Sequence, residues 1–234
     1  MQILQSGLDL IHKGGWVMYP LLALSVIAVA VILERGLSIR EAAVDAEKLF
    51  HDLEPLLKER KYSDALQRCR QDSGPVAAIL SAGVSNRHLD FAGIERSMEE
   101  LALRETPLLQ QRLGVLDTVI TMAPLMGLLG TITGMIQAFN VVAGAGASAP
   151  TAITGGVAEA LIATATGLTI AIVTLPFYNY FTERVGEIIS EMEVSATRLL
   201  NILAITHFQD EQKRRVSLSK PLILPANLDS RILN

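Results

Sequence analysis

The chain has 234 residues, of which 50% are hydrophobic and only 19% are charged, with a net charge of −4 and a mean hydropathy of +0.37. These values exclude an ordinary soluble domain, in which about 25% of residues are charged. Cys69 is the only cysteine, which excludes an intramolecular disulfide. We therefore expect a protein whose main partner is the lipid bilayer, and no binding of nucleic acid.

The first of three long stretches without charge precedes Glu34, and the other two lie on either side of Glu159. About 20 apolar residues, rising ~1.5 Å each, are needed to cross ~30 Å of hydrocarbon. The sequence thus predicts an all-α membrane protein with three transmembrane helices. The predicted spans are 15–34, 114–141 and 155–181.

The first span also has features of a signal peptide, because small residues around Ala28 offer a cleavage site. Two features argue against cleavage. Asp9 offsets Lys13, so the leader has no positive region, and the apolar run continues past Ala28 to Leu33. We expect this span to remain in the protein.

Lysine and arginine are unevenly distributed along the chain. Twelve lie between Arg35 and Arg112, seven lie between Arg184 and Arg231, and none lies between Val142 and Gly155. The positive-inside rule then places the N-terminus outside and the C-terminus in the cytoplasm. The predicted periplasmic segments are 1–14 and 142–154, and the predicted cytoplasmic segments are 35–113, 182–207 and 208–234.

Two of the helices are expected to extend far into the cytoplasm. No strong stop signal lies between Phe91 and Gly144, which predicts one long helix bent at Pro107 and Pro124. The third span is predicted to continue as helix to about His207. The tail from residue 208 is expected to be a flexible terminus, and contact of its basic cluster at 213–215 with anionic lipid is the alternative.

Glu159 is the only charged side chain between Asp117 and Glu183. A carboxyl group in an apolar span costs roughly 2.5–3.5 kcal/mol on insertion scales, so such a residue is expected to serve a function. Placed in a low-dielectric environment, it can bind and release a proton. The spans contain no metal-binding motif and no nucleophile–base set, so we expect no enzyme, no cofactor and no metal site.

Small residues in the second and third spans indicate close helix packing, because helices in lipid associate through small side chains. The glycines predicted to serve this packing are Gly127, Gly130, Gly134, Gly156 and Gly167. Three spans cannot enclose much of an ion pathway, so we also expect a homo-oligomer.

Two sequence motifs resemble the proton-channel family that includes ExbB, TolQ and MotA. They are APLMGLLGTITGMIQAF at residues 123–139 and GVAEALIATATGLTIAI at residues 156–172, and the first span at 14–35 is also similar. Three spans favour the ExbB/TolQ branch over MotA. Gly155-Gly156 stands where those relatives often have Pro-Gly, which leaves the choice between the TonB and Tol systems open.

This resemblance implies a ring in the bacterial inner membrane, expected to be a pentamer, around single-span helices of an ExbD/TolR-type partner. A membrane Asp of that partner would be the second proton station, and the motion would pass to a TonB/TolA-type protein. The family's polar pore residues correspond to Thr131, Glu159 and Thr164 of this sequence. A passive membrane scaffold, with Glu159 ordering the assembly, is the alternative function.

The threonines have a geometric difficulty. With span ends near Asn140 and Gly155, Thr131 and Thr164 would lie at a similar depth, below Glu159. However, Thr164 lies ~140° around the helix from Glu159, whereas Thr166 lies within ~20° and is a further possible pore-lining residue. Thr164 would then face a copy of span two or lie in a distorted helix. Hydroxyls that bond to their own backbone are the structural alternative.

Overall fold

A computed structural model of the protein describes residues 14–43, 45–145 and 150–219, and within them every regular element is a helix. This agrees with the predicted all-α class. The helices are α1 (Met18–Ala42), α2 (Ala46–Lys58), α3 (Tyr62–Gln71), α4 (Pro75–Ser85), α5 (Phe91–Gln110), α6 (Leu113–Ala145) and α7 (Pro150–Ser219). Most of the predicted N-terminal segment, part of the loop at 142–154 and the end of the tail lie outside the described residues.

Three helical stretches within the described part of the chain are long and apolar enough to cross a membrane. They include α1, α6 and the first half of α7, which are the helices expected from the charge-free stretches. The predicted span boundaries themselves stay predictions.

The described residues fall into two compact units, and α5 and α7 contribute to both. One unit takes its residues from Met1–Val44 and Leu103–Ser190, and it contains all three apolar helices. The other takes them from Asp45–Ala102 and Glu191–Asn234.

In the first unit, α6 and α7 approach so closely that a Cβ would be crowded on three glycines of α6, namely Gly127, Gly130 and Gly134. A Cβ on Gly127 would lie 3.0 Å from the carbonyl oxygen of Ala163, and one on Gly130 would lie 2.5 Å from the Ala163 Cβ. A Cβ on Gly134 would lie 2.9 Å from the carbonyl oxygen of Gly156. The contacting residue numbers fall along α7 as they rise along α6, so the two helices are antiparallel. We call this contact the glycine seam.

Helix α1 packs against the seam through the apolar residues at its start. Val17, Met18 and Leu21 are buried in one cluster with Ala123 of α6. Partly buried side chains complete the cluster: Leu24, Met126, Ile162 and Ile170. The start of α1 is therefore fixed against both other apolar helices.

The prediction of one helix from Phe91 to Gly144 is wrong, because the chain breaks between α5 and α6. Arg112 has φ of +63°, a left-handed conformation that an α-helix of L-residues does not continue through. Helix α5 therefore ends at Gln110 and α6 begins at Leu113.

The freed carbonyl groups at the end of α5 are satisfied by Arg35. This side chain is only 3% exposed, and its Nη1 donates to the carbonyl oxygens of Leu108 and Leu109, both at 3.4 Å. Glu34 accepts from Arg35 at 2.8 Å and forms an ion pair with Arg112 at 3.1 Å. The break is thus stabilised by an ion cluster that joins Glu34 and Arg35 to Arg112, which is far from them in the sequence.

Helix α7 continues to Ser219, past His207, where the sequence predicts its end. The segment contains Gln, Glu, Lys and Arg, which favour helix, and neither Gly nor Pro interrupts it before Pro221. Residues 220–234 lie outside the described residues, and the flexibility of the tail stays a prediction.

The second unit is built on a separate apolar core. Leu49, Leu53 and Leu57 form the buried face of α2, whose first turn is capped by the Asp45 carboxylate accepting from the Lys48 N–H at 3.0 Å. Cys69 of α3 is also buried, and this burial raises the pKa of its thiol to about 11. The thiol is therefore protonated and poorly nucleophilic near neutral pH.

Replacing Arg35 by Met is expected to lower the free energy of unfolding by about 1–3 kcal/mol, because the carbonyl oxygens of Leu108 and Leu109 lose the guanidinium that donates to them. The measurement is thermal unfolding of the purified protein in detergent. Arg40, which is exposed on the same helix, supplies the control, and Arg40→Met should leave the unfolding midpoint unchanged. Equal midpoints for the two variants would contradict the capping role.

Replacing Gly167 by Ala is expected to destabilise the protein by about 1–3 kcal/mol through overpacking of the glycine seam. The added Cβ would overlap the carbonyl oxygen of Ala123, a backbone atom that cannot turn away. In the matched control on the same helix, Gly186→Ala, the Cβ meets no atom within 4 Å. That control should be neutral or slightly stabilising in the same unfolding assay.

Candidate functional site

Glu159 lies near the N-terminal end of α7, and its carboxyl group is in contact with the turn that precedes α1. A Cβ on Gly15 would overlap the Oε1 atom of Glu159 and lie 2.9 Å from its Cδ. Gly15 has φ of +71°, a conformation that glycine adopts without cost. The carboxyl group therefore lies directly against backbone atoms of this turn.

Apolar side chains lie one turn away from Glu159, where Ile162 of α7 packs against the buried cluster of Val17 and Met18. Glu159 itself is partly buried, and within the described residues it forms no hydrogen bond and no ion pair. A carboxyl group without a fixed counter-charge can gain or lose a proton without breaking an ion pair.

The described residues contain no cluster of three or more His, Cys, Asp or Glu side chains suited to a metal ion. The titratable group that the described part of the site contributes is the Glu159 carboxyl.

Thr164 joins α7 to α6 instead of turning toward Glu159. Its Oγ1 donates to the carbonyl oxygen of Gly127 at 2.9 Å. The sequence suggested that Thr164 faces a neighbouring copy of span two or lies in a distorted helix. Neither arrangement is needed to explain its position in the single chain. Thr164 faces span two of its own chain, on the seam.

Thr131 and Thr166 bond to the backbone of their own helices. Thr131 Oγ1 donates to the Leu128 carbonyl at 2.7 Å, and Thr166 Oγ1 donates to the Ile162 carbonyl at 2.8 Å. Such bonds satisfy a hydroxyl donor in an apolar environment and leave its acceptor lone pairs available.

The seam register also corrects the predicted depth of Thr131. Gly127 is level with Thr164, since a Cβ on Gly127 would lie 3.0 Å from the Thr164 Cα. Thr131 is four residues further along α6, so it lies about 6 Å, or roughly one turn, from that level. The prediction of equal depth was wrong because it took the span ends from the sequence, whereas the glycine seam sets the register.

The three predicted pathway residues do not converge within one chain. Glu159 contacts the turn before α1, whereas Thr131 and Thr164 bond to backbone carbonyls of α6. Sequence reasoning missed Gly15. The Gly14-Gly15 pair before an apolar run is a signal for an unusual backbone conformation, but nothing in the sequence links it to α7.

Comparison with known proteins gives a family match that includes all three residues. Residues 71–194 match the sequence profile of the MotA/TolQ/ExbB proton channel family.

Individual relatives carry the names ExbB-like and TolQ. The chain is 37% identical over 176 residues to an ExbB-like biopolymer transport protein of Synechocystis sp., covering 72% of this chain and 67% of the relative. A second ExbB-like protein of that organism is 33% identical over 171 residues, covering 72% and 81%. The Tol-Pal system protein TolQ of Pseudomonas aeruginosa is 32% identical over 183 residues, covering 72% and 78%.

Proposed function

Because the chain belongs to the MotA/TolQ/ExbB proton channel family, in its ExbB/TolQ branch, we propose that it is the proton-channel subunit of an energy-transducing motor. The motor uses the proton-motive force for TonB- or Tol-dependent transport or envelope work. The observation that carries this proposal is Glu159, an isolated carboxyl group in an apolar helix with no bonding partner among the described residues.

Glu159 acts as the proton-binding group of the chain. In this role the carboxyl group accepts a proton and passes it to an acceptor supplied by another subunit. Each proton that crosses the membrane supplies ~2.3 kcal/mol per 100 mV, which is enough to drive repeated small mechanical steps.

One carboxyl group per chain is an incomplete pathway, so the remaining parts come from other subunits. In the proposal, the chain forms a homopentameric ring around single-span helices of an ExbD/TolR-type partner. That partner contributes a membrane Asp, and a TonB/TolA-type protein receives the motion. Large apolar side chains exposed on α6 and α7 support such an assembly, among them Leu125, Phe139, Leu161 and Leu168.

Thr131 and Thr164 extend the proposed pathway, with Thr166 as a further lining residue. Each hydroxyl uses its proton in a bond to a backbone carbonyl, which leaves its lone pairs able to accept from water. Their correspondence to the family motifs supports this assignment.

The three apolar helices and the family membership support a multi-pass location in the inner membrane. In the proposed topology the N-terminus and the α6–α7 connection face the periplasm, and the C-terminus faces the cytoplasm. The distribution of lysine and arginine supports this orientation.

Replacing Glu159 by Gln tests the proposal, because Gln keeps the shape of the side chain but cannot exchange a proton at neutral pH. We expect the oligomer to form normally and proton-driven function to fall to the level of cells that lack the chain. The measurements are size-exclusion chromatography of the purified complex and complementation in cells that carry the partner proteins.

Glu183→Gln is the matched control, since Glu183 is an exposed carboxylate on the same helix, and it should retain full activity. Full activity of Glu159→Gln would contradict the channel function and favour the alternative, a passive oligomeric scaffold. Loss of the oligomer itself would show that Glu159 orders the assembly.

A further inference from the structure

We propose that Gly15 is a positioning residue for the Glu159 carboxyl, so that the turn before α1 forms one wall of the proton-binding site. This inference rests on the proposed function of Glu159 and extends it to the first span. This wall comes from the first span and is separate from the packing between the second and third spans.

The contact between the two residues leaves no room for a side chain. A Cβ on Gly15 would overlap the Oε1 atom of Glu159, and it would lie 2.9 Å from the Cδ and 3.4 Å from the Cγ of that residue. Nearly the whole outer part of the glutamate therefore lies against the glycine. The carboxyl group can occupy this position only if residue 15 is glycine.

The turn is held in place, so it is the carboxyl that must move if the space is filled. The carbonyl oxygen of Gly15 accepts from the Met18 N–H at 3.2 Å, which fixes the turn to the first residue of α1. Val17 and Met18 are 1% and 3% exposed and belong to the buried cluster. Moving the turn outward would pull these side chains from their core.

Trp16 and Tyr19 lie next to this turn and are 51% and 64% exposed, so their side chains lie on the outer surface of the unit. The contact with Glu159 is made by the backbone at Gly15, which therefore limits where the carboxyl group can lie.

Replacing Gly15 by Ala displaces the Glu159 carboxyl and is expected to reduce proton-driven function by about tenfold to a hundredfold, since a reacting group misplaced by about 1 Å can cost about a hundredfold. Gly15→Asn serves as a second variant, because Asn tolerates positive φ but still adds a Cβ. Both variants should be defective. A defect in Gly15→Ala but not in Gly15→Asn would assign the effect to backbone strain and overturn the positioning role.

Gly155→Ala is the matched control. Gly155 is on α7 near Glu159, and a Cβ there would meet no atom within 4 Å. It should retain full function in the same complementation assay.

A rescue experiment distinguishes positioning from a general structural effect. Glu159→Asp shortens the side chain by one methylene and withdraws the carboxyl from residue 15. In that background, Gly15→Ala should cost less than about threefold in function, because coupled sites are not additive. An equal fold loss in both backgrounds would overturn the contact.

The double variant, which combines Glu159→Asp with Gly15→Ala, also tests the proposal if Gly15→Ala alone fails to assemble. Restored assembly in the double variant supports the overlap with Glu159. Continued failure shows that Gly15 serves the fold only and overturns the proposal.

Modification of Glu159 by a hydrophobic carbodiimide gives a readout that does not depend on channel activity. The probe is dicyclohexylcarbodiimide, applied to the full-length protein in liposomes, and mass spectrometry follows the rate. We expect Gly15→Ala to change this rate at least about threefold, as for a moved reacting group, and Gly155→Ala to leave it unchanged. Unchanged labelling and activity in an assembled Gly15→Ala variant would overturn the inference, while the loss of function in Glu159→Gln would still uphold the channel.

Discussion

The close approach of the α6 and α7 backbones is the contact on which the rest of the first unit depends. In lipid, hydrophobicity does little to bring helices together, and packing of small residues must supply most of the attraction. Gly127, Gly130 and Gly134 allow this approach, and their contacts with Ala163 and Gly156 set one register between the two helices. Once that register is set, the remaining positions around α7 are determined.

One of those positions is that of Glu159. The seam occupies one face of α7, with Thr164 bonded to the Gly127 carbonyl there, and Glu159 emerges on the side where the start of α1 packs. The site is therefore made by α7 and the turn before α1, although its chemistry comes from one residue. The carboxyl group has no fixed counter-charge among the described residues.

The sequence predicts those features that depend on composition and on periodicity within one helix. The three apolar helices follow from the charge-free stretches, and the isolation of Glu159 is visible directly. Contacts between distant segments were not predictable. Arg112 adopts its left-handed conformation next to an ion cluster built by Glu34 and Arg35, and no local pattern around residue 112 indicates it.

The same limit applies to the candidate site. A helical wheel correctly separates Thr164 from Glu159 but cannot say which neighbour each one meets. The depth assigned to Thr131 failed for the same reason, since relative depth depends on the register between two helices. The role of Gly15 required knowledge of the α1–α7 contact, because a glycine is informative only when its neighbour is known.

The ion cluster at Arg35 has a consequence for how the first span adapts to lipid. A terminal arginine ordinarily extends along the bilayer normal to reach water, and this freedom absorbs differences in hydrocarbon thickness. The Arg35 guanidinium is instead bound to Glu34 and to the end of α5, so it cannot follow a changing interface. Helix α1 is thereby anchored at this end as well as at its start, where Val17, Met18 and Leu21 lie in the buried cluster, so a mismatch with the surrounding lipid acts on the three apolar helices together.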